Sequence, residues 1–186
     1  MPSPIGHSLA GLCGYFLAGN RPLSQRREYL LLSSVVIANL PDLDLVPRLL
    51  FGDVSSLHRQ WTHSLVAALG FGLLIGVLAR WWKTDGIFYG IWGGAIYLSH
   101  IVLDMLLNDP SPPHGVQLLW PFSQSYFMSP FTPFRSFRYG HPELNIITMF
   151  FLPHNLATMA REVLLMTPWV GLSAYVSRRL SGKHEK

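Results

Sequence analysis

The stretch GIFYGIWGGAIYLSHIVLDMLL, residues 86–107, predicts a helix that crosses a membrane and carries chemistry near one end. Its length matches the ~20 apolar residues that span a hydrocarbon core of ~30 Å. The only acidic or basic side chains in it are His100 and Asp104, which lie one helical turn apart on the same face. Because ionisable groups are costly in hydrocarbon, this pair indicates a functional site.

The composition of the whole chain is typical of a membrane protein. Of its 186 residues, 49% are hydrophobic and 13% are charged, about half the charged share of soluble domains. The six tryptophans suit a membrane–water interface. The net charge of +4 does not predict a nucleic-acid partner, because the basic residues are scattered rather than forming a stripe between aromatics. The single cysteine, Cys13, excludes an intramolecular disulfide and a cysteine-based zinc site.

Further apolar segments predict the rest of the helices. Four of them are long enough for a full or partial span: residues 8–20, 29–40, 64–82 and 162–176. The linker near residue 84 is so short that residues 64–82 and 86–107 must form an antiparallel hairpin, and residues 8–20 and 29–40 predict a similar one. We therefore expect an all-α integral membrane bundle of four or more helices, as one domain over residues 1–186.

Residues 108–142 differ from the helical segments. They hold seven of the fourteen prolines, many aromatics and little periodicity. Flexible linkers are seldom rich in Phe and Trp, so this composition predicts a long ordered loop or cap. A short helix is expected after it, over residues 144–152.

Folding each predicted hairpin about its linker brings polar residues together at one end. His63 lies 21 residues before residue 84, and Asp104 lies 20 after it, so a rise of 1.5 Å per residue places them at the same level. Folding the first hairpin about residue 24 places His7 beside the PDLD stretch. The residues expected at this end are His7, Asp42, Asp44, His58, His63, His100 and Asp104.

This set of side chains predicts a metal site. The His100 and Asp104 spacing lets both grip one cation, as the two histidines of H-E-x-x-H do. Imidazole nitrogen mixed with carboxylate oxygen suits zinc, and also manganese or iron. Several carboxylates are available to bridge, which favours two ions in the arrangement used for phosphoester hydrolysis. His114, in the loop stretch PPHGVQLLWPF, offers a further imidazole.

Two other hypotheses account for the same residues. A non-catalytic metal-binding membrane protein, a transporter or sensor, is the first; transport would place ionisable groups along a path through the midplane, whereas here they cluster at one end. A structural protein whose polar end is a buried hydrogen-bond network is the second. That network would bind no metal.

The order of an early His, PDLD, HRQWTHS, HIVLD and HGVQLLWPF resembles the YdjM-like family of membrane-bound metal-dependent hydrolases, over about residues 5–125. That family looks distantly similar to the superfamily of zinc-dependent phospholipases C and single-strand nucleases, helical enzymes whose His and Asp ligands hold zinc and cleave phosphoesters. The phospholipase pattern completes a further site with an H-x-x-x-E pair, which this sequence lacks downstream of His114. Two ions are therefore expected rather than three.

The resemblance also implies residue roles. Asp104 would bridge two ions, and Asp44 and His58 would lie beside the ligands or replace one of them. The implied metal ligands are His7, Asp42, His63, His100, Asp104 and His114. Among the catalytic residues we expect Asp44 to act as general base, His58 to bind substrate phosphate or orient a neighbouring residue, and Arg59 to bind an anionic group.

The expected function is hydrolysis of a phosphoester by metal-activated water in the plasma (inner) membrane. Because the site opens at the membrane surface, the expected substrate is a small-molecule, lipid or lipid-linked phosphoester. Orientation follows from charge, since basic residues favour the cytoplasmic side. Nine lie on the side of the helix linkers and C-terminus: Arg21, Arg26, Arg27, Arg80, Lys83, Arg178, Arg179, Lys183 and Lys186. The C-terminus is therefore expected in the cytoplasm and the metal site on the opposite side.

Overall fold

The computed structural model describes residues 1–19, 27–45, 58–110, 112–138 and 146–181, and the fold is mostly helical. Two 3₁₀ segments, Leu40–Leu45 and Trp61–His63, lie between the second and third helices along the chain. Two-residue strands, β1 (Leu107–Asn108) and β2 (Phe134–Arg135), pair in parallel. The helices are α1 (Pro4–Leu17), α2 (Arg27–Asn39), α3 (Leu65–Trp81), α4 (Gly86–Met105), α5 (Ile146–Phe150) and α6 (Pro153–Ser181).

Local capping explains where the helices begin. α1 begins four residues earlier than predicted, because the Ser3 hydroxyl accepts a hydrogen bond from the Ile5 N–H (3.2 Å) and Pro4 needs no partner in the first turn. Ser64 caps α3 by accepting from the Ala67 N–H (3.1 Å). Asp85 caps α4 by accepting from the Phe88 N–H (3.0 Å). Each cap satisfies an N–H that the helix itself leaves unpaired.

The α3–α4 hairpin packs through glycine backbones. A Cβ added at Gly72 would lie 2.8 Å from the Gly90 carbonyl oxygen, and one added at Gly86 would lie 2.6 Å from the Gly76 carbonyl oxygen. Small residues that allow such close approach are typical of helix pairs in membranes. The hairpin expected from the short linker near residue 84 is present.

The helices α1 and α2 pack on the other side of α4, and α1 also packs against α6. The core between α2 and α4 contains Ile37, Ala38, Ile96 and Ile101, all buried. The Trp92 indole N–H of α4 donates to the Gly14 carbonyl of α1 (2.9 Å). α4 is thus the central helix, and its polar end is enclosed by α1 and by the end of α2.

The predicted bundle of four or more membrane helices is supported only in part by the length and hydropathy of the described helices. Among the described residues, one helix is long and apolar enough to cross a membrane, Gly86–Met105; Leu65–Trp81 is apolar but shorter. The predicted segment 162–176 is part of the longer α6, which keeps Pro168 inside the helix. The expected short helix within residues 144–152 is α5.

The predicted loop of residues 108–142 is ordered by main-chain pairing over the part that the structure describes, residues 108–110 and 112–138. Val116 and Phe127 exchange hydrogen bonds of 3.0 and 2.8 Å. The β1–β2 pair ties the far part of the loop to the end of α4. This pairing adds two short strands that the all-α prediction did not include. Residues 139–142 lie outside the described residues.

Candidate metal centre

Four elements meet at the end of α4 and bring their polar side chains into one buried cluster. His100 and Asp104 lie on the last turns of α4, and His63 ends the 3₁₀ segment that leads into α3. His7 comes from α1, and Asp42 from the segment that follows α2. The His7, His63 and His100 side chains are fully buried, so the cluster is shielded from solvent on the side of the helices.

The ligand atoms of four residues converge on one point. His63 Nε2 lies 3.2 Å from His100 Nε2 and 3.3 Å from Asp104 Oδ2, and His100 Nε2 lies 3.3 Å from Asp42 Oδ1. One atom from each of these four residues falls within 4.8 Å of the other three. A group of two imidazoles and two carboxylates at this separation can hold a divalent ion.

The outer nitrogens of the two central histidines are already engaged. His100 Nδ1 lies 2.8 Å from the Ala38 carbonyl oxygen, so the proton belongs on Nδ1 and the Nε2 lone pair faces the cluster. His63 Nδ1 lies 2.9 Å from the Thr62 hydroxyl oxygen and 3.4 Å from Asp44 Oδ2, which assigns the same tautomer. Metal-binding histidines usually donate their second ring N–H in this way.

Several buried atoms in the cluster have no hydrogen-bond partner. They are both ring nitrogens of His7, Oδ1 of Asp42 and both carboxylate oxygens of Asp104. His7 stacks on His100 with 3.7 Å between ring centroids, and its Nε2 lies 3.7 Å from Asp104 Oδ1. A buried polar atom without a partner costs about 1–3 kcal/mol. A cation at the point of convergence would satisfy the unpaired oxygens of Asp42 and Asp104 that face it, so the residues fit a metal.

The histidines and aspartates of the cluster lie close enough to shift one another's pKa. Burial raises the pKa of Asp42, but the neighbouring His100 and His63 outweigh it and hold this pKa well below the usual range. Burial lowers the pKa of His63, but the carboxylates of Asp104, Asp42 and Asp44, which lie 3.3–3.6 Å from its ring nitrogens, raise this pKa well above its ordinary value. A cation that binds at His63 must therefore displace a proton.

Asp44 supports the histidines rather than pointing at the convergence point. Its Oδ1 lies 2.7 Å from His58 Nδ1, and its Oδ2 accepts hydrogen bonds from the Thr62 hydroxyl (2.7 Å) and the Arg59 N–H (3.3 Å). Asp44, His58 and His63 also form a second group with ligand atoms within 4.8 Å of one another. Burial raises the pKa of Asp44, but hydrogen bonds from His58 and His63 bring it below its usual range.

The positively charged guanidinium of Arg59 lies beside the cluster. Its guanidinium pairs with the Asp109 carboxylate, and its Nε lies 3.8 Å from Asp104 Oδ2. Arg59 adopts a left-handed backbone conformation with a φ of 64°, which is unusual for a residue other than glycine. Hydrogen bonds on both sides of the residue hold it there, since its N–H donates to Asp44 and its carbonyl accepts from the Gln117 N–H (3.0 Å).

His114, predicted as a ligand, does not join either group of ligand atoms. Its side chain is exposed, and its Nδ1 lies 3.0 Å from the Asp109 carbonyl oxygen. The structure thus brings together His7, Asp42, His63, His100 and Asp104, places Asp44, His58 and Arg59 next to them, and leaves His114 on the loop. Its role as a ligand stays a prediction.

Glu162 is a buried acid that the sequence analysis did not single out. It lies on α6 and is fully buried. Its Oε1 accepts from the Ser3 N–H (2.7 Å), and its Oε2 accepts from the Ser3 hydroxyl. A carboxylate at a helix N-terminus is stabilising, so Glu162 fixes the start of α1 one turn before His7. The signal was present in the sequence as the only acid in the apolar segment 162–176.

Comparison with known proteins agrees with the membrane character of the chain. The model of the YdjM inner membrane protein family matches residues 1–181. The chain is 32% identical to Inner membrane protein YbcI of Escherichia coli (strain K12) over 151 residues, which cover 76% of this chain and 83% of that protein. No solved structure matches the chain.

Proposed function

The chain belongs to the YdjM inner membrane protein family, and we propose that it is a metal-dependent hydrolase of the inner membrane that cleaves a phosphoester. One observation carries this proposal. Imidazole and carboxylate atoms from three elements converge on one point, with His7 of α1 beside them, and several of these atoms are buried without a hydrogen-bond partner. A hydrogen-bond network that served only stability would leave few such atoms unpaired.

The residues that would hold the metal are those at the convergence point. We assign Asp42, His63, His100 and Asp104 to the ion, with His7 as a further donor beside Asp104. Zinc fits this donor set, and manganese or iron is compatible with it. Asp104 has two unpaired oxygens and is suited to bridging two ions. When bound, the metal supplies a Lewis acid that polarises a phosphoryl oxygen and lowers the pKa of water.

The residues beside the metal take different roles from those first expected. Asp44 was expected to be the general base, but both of its oxygens already accept hydrogen bonds, so we assign it to orienting His58 and His63. His58 Nε2 is buried and has no hydrogen-bond partner, and it is the nitrogen that can accept a proton from water. Arg59 carries the positive charge that would bind the phosphoryl oxygens.

The more accessible side of the cluster suggests where a substrate enters. The side chains of Asp42, His58 and Arg59 keep 13%, 15% and 11% of their surface exposed, whereas His7, His63 and His100 keep none. We propose that the phosphoester approaches from this side. Because the chain is embedded in the bilayer, we propose a lipid or lipid-linked phosphoester as its substrate.

Topology is part of the same proposal. We propose one membrane-embedded domain over residues 1–186 with four or more membrane helices, the C-terminus in the cytoplasm and the metal centre on the other side. The charge bias behind this orientation includes residues outside those described, namely Arg21, Arg26, Arg48, Lys183 and Lys186. Labelling cysteines introduced at residues 84 and 115 in intact cells tests it; label reaching residue 84 from outside but not residue 115 would reverse the orientation.

Activity is tested on protein purified in mild detergent, stripped with a chelator and reloaded with zinc or manganese. Fluorogenic phosphodiesters and a phospholipid panel serve as substrates. We expect turnover that returns with the metal and falls about 10²–10⁴-fold in His58→Gln with its metal content unchanged. His154→Gln is the control, because His154 lies on α6 and contacts the Ser136 carbonyl (2.9 Å). A metal-loaded protein without turnover would favour a transporter or sensor.

A further inference from the structure

A large apolar groove runs along the outer face of the α3–α4 hairpin. It encloses a volume of about 1430 Å³. Its floor is the glycine backbone where the two helices cross, and its walls are exposed apolar side chains such as Leu69, Leu73 and Ile91. α1 and α2 pack on a different face of α4, on residues such as Ile96 and Tyr97. The groove therefore faces away from the metal centre.

The two ends of the groove differ in charge. Arg80 and Lys83 line one end, and Asp85, the remaining charged residue of the lining, uses its carboxylate to cap α4. The other end, at Leu65 and Leu98, is apolar. From Leu65 to Arg80 the groove follows α3 for ~22 Å, at a rise of 1.5 Å per residue. It is thus apolar over most of a hydrocarbon core and basic at one boundary.

Aromatic residues mark the same boundary. Trp81 and Trp82 are 79% and 71% exposed and lie directly between Arg80 and Lys83 in the chain. Tryptophan concentrates at the membrane–water interface. The two basic side chains are therefore at the depth of lipid phosphates, while the rest of the groove is at the depth of acyl chains.

We propose that this groove binds an anionic phospholipid, with its phosphate at Arg80 and Lys83 and its acyl chains along the glycine floor. Basic pockets between membrane helices are suited to anionic headgroups. A second copy of the chain is a poorer occupant. Two copies related by a two-fold axis along the membrane normal would bring the same basic ends together. The lipid phosphate lies at the end of α4 opposite His100 and Asp104, so this lipid is a resident ligand and not the substrate of the metal centre.

The charge contribution is tested on the full chain in mild detergent by native mass spectrometry. Dioleoyl phosphatidylglycerol and dioleoyl phosphatidylcholine are offered at equal concentrations. Each basic side chain near an anionic lipid favours it about fivefold, so we expect a preference for phosphatidylglycerol of roughly tenfold or more. The double variant Arg80→Gln, Lys83→Gln is expected to lose this preference. The matched control, Arg178→Gln with Arg179→Gln at the exposed end of α6, is expected to keep it.

The place of the acyl chains is tested with a second pair of variants. Ala95→Phe fills the groove and is expected to reduce retention of both lipids severalfold, whereas Val102→Phe, exposed on α4 outside the groove, is not. Circular dichroism and gel filtration confirm that each variant is folded. Equal binding of the two lipids by the wild type, or equal loss in a variant and its control, overturns the proposal. A dimer that is disrupted by Ala95→Phe and retains no lipid also overturns it, in favour of a second copy.

Discussion

Replacing Asp44 by asparagine is expected to weaken metal binding without removing a residue from the convergence point. The carboxylate accepts hydrogen bonds from the Thr62 hydroxyl and the Arg59 N–H on one oxygen and lies 2.7 Å from His58 Nδ1 on the other. Asparagine keeps one acceptor and turns the other into a donor. The asparagine N–H₂ group must therefore face another hydrogen-bond donor, either Nδ1–H of His58 or the Thr62 hydroxyl and Arg59 N–H.

The magnitude follows from the contacts that the variant loses. A hydrogen bond to a charged group contributes about 1.5–3 kcal/mol, and removing a partner that orients a metal-binding histidine typically costs 10–100-fold in affinity. We expect Asp44→Asn to bind zinc about 10–100-fold more weakly than the wild type. Competition against a chromophoric zinc chelator measures this change directly. Asp85→Asn is the control, because Asp85 caps the start of α4 at the other end of the hairpin.

Two results would contradict this reasoning. Unchanged zinc affinity in a folded Asp44→Asn variant would show that His63 is oriented without Asp44. Loss of one equivalent of metal, with the remaining metal bound at full affinity, would show that Asp44 is itself a ligand in the group with His58.

Three further predictions concern the buried acid Glu162, the protonation of His63 and the glycine contact of the α3–α4 hairpin. Glu162→Ala removes the acceptor of the buried Ser3 N–H and hydroxyl at the start of α1, and it is expected to lower the free energy of unfolding by about 1–3 kcal/mol. The loss is expected to be smaller in Glu162→Gln. Thermal unfolding in detergent compares the variants, and a Glu162→Ala variant as stable as the wild type would contradict this role. Because the pKa of His63 is raised, zinc must displace its proton. The affinity for zinc is therefore expected to fall by up to about tenfold for each pH unit as the pH is lowered. Competition titrations in which the affinity does not change between about pH 6 and 8 would refute this. Gly72→Ala is expected to destabilise the hairpin by about 1–3 kcal/mol, since the new Cβ would lie 2.8 Å from a carbonyl oxygen of α4. A Cβ added at Gly70 would meet no atom within 4 Å, so Gly70→Ala is expected to be neutral or slightly stabilising. Equal unfolding temperatures for the two variants would contradict close packing of the helices at Gly72.

The meeting of the polar residues could be predicted from the sequence because helix geometry is fixed. Once the linker near residue 84 forces a hairpin, the rise per residue brings His63 and Asp104 to the same level, and the structure places their side chains 3.3 Å apart. Counting residues from the linker of the first predicted hairpin likewise placed His7 beside Asp42, and the structure places His7 Nε2 4.0 Å from Asp42 Oδ2. Periodic, apolar segments carry this information because their conformation is set locally.

The contacts beyond the helices could not be predicted, because they depend on irregular backbone. His114 lies in a Pro-rich loop whose path no periodicity defines, and its Nδ1 lies 3.0 Å from the Asp109 carbonyl oxygen. The pairing of Asp109 with Arg59 and the hydrogen bonds from Ser3 to Glu162 join residues far apart in sequence. The orienting role of Asp44 depends on side-chain geometry that spacing alone leaves open.

The predicted number of membrane helices, four or more, stays a prediction, because one helix of the described residues, Gly86–Met105, has the length and apolar composition of a full span. Apolar composition predicted spans at residues 64–82 and 162–176. The structure gives α3 only 17 residues and makes the second segment part of a 29-residue helix whose N-terminal half carries polar residues such as Asn155 and Glu162. Helix boundaries set by caps and buried polar groups are not visible in composition.

The most direct test of the metal centre is the metal content of the purified protein. Wild-type protein and Asp104→Asn would be prepared in mild detergent without chelator, checked for folding, and measured by elemental mass spectrometry with Asp85→Asn as control. We expect about two equivalents of zinc or manganese in the wild type and in the control, and a loss of most of it in Asp104→Asn. A wild-type protein that holds no metal after repletion would contradict the metal centre and leave His100 and Asp104 as parts of a buried polar network.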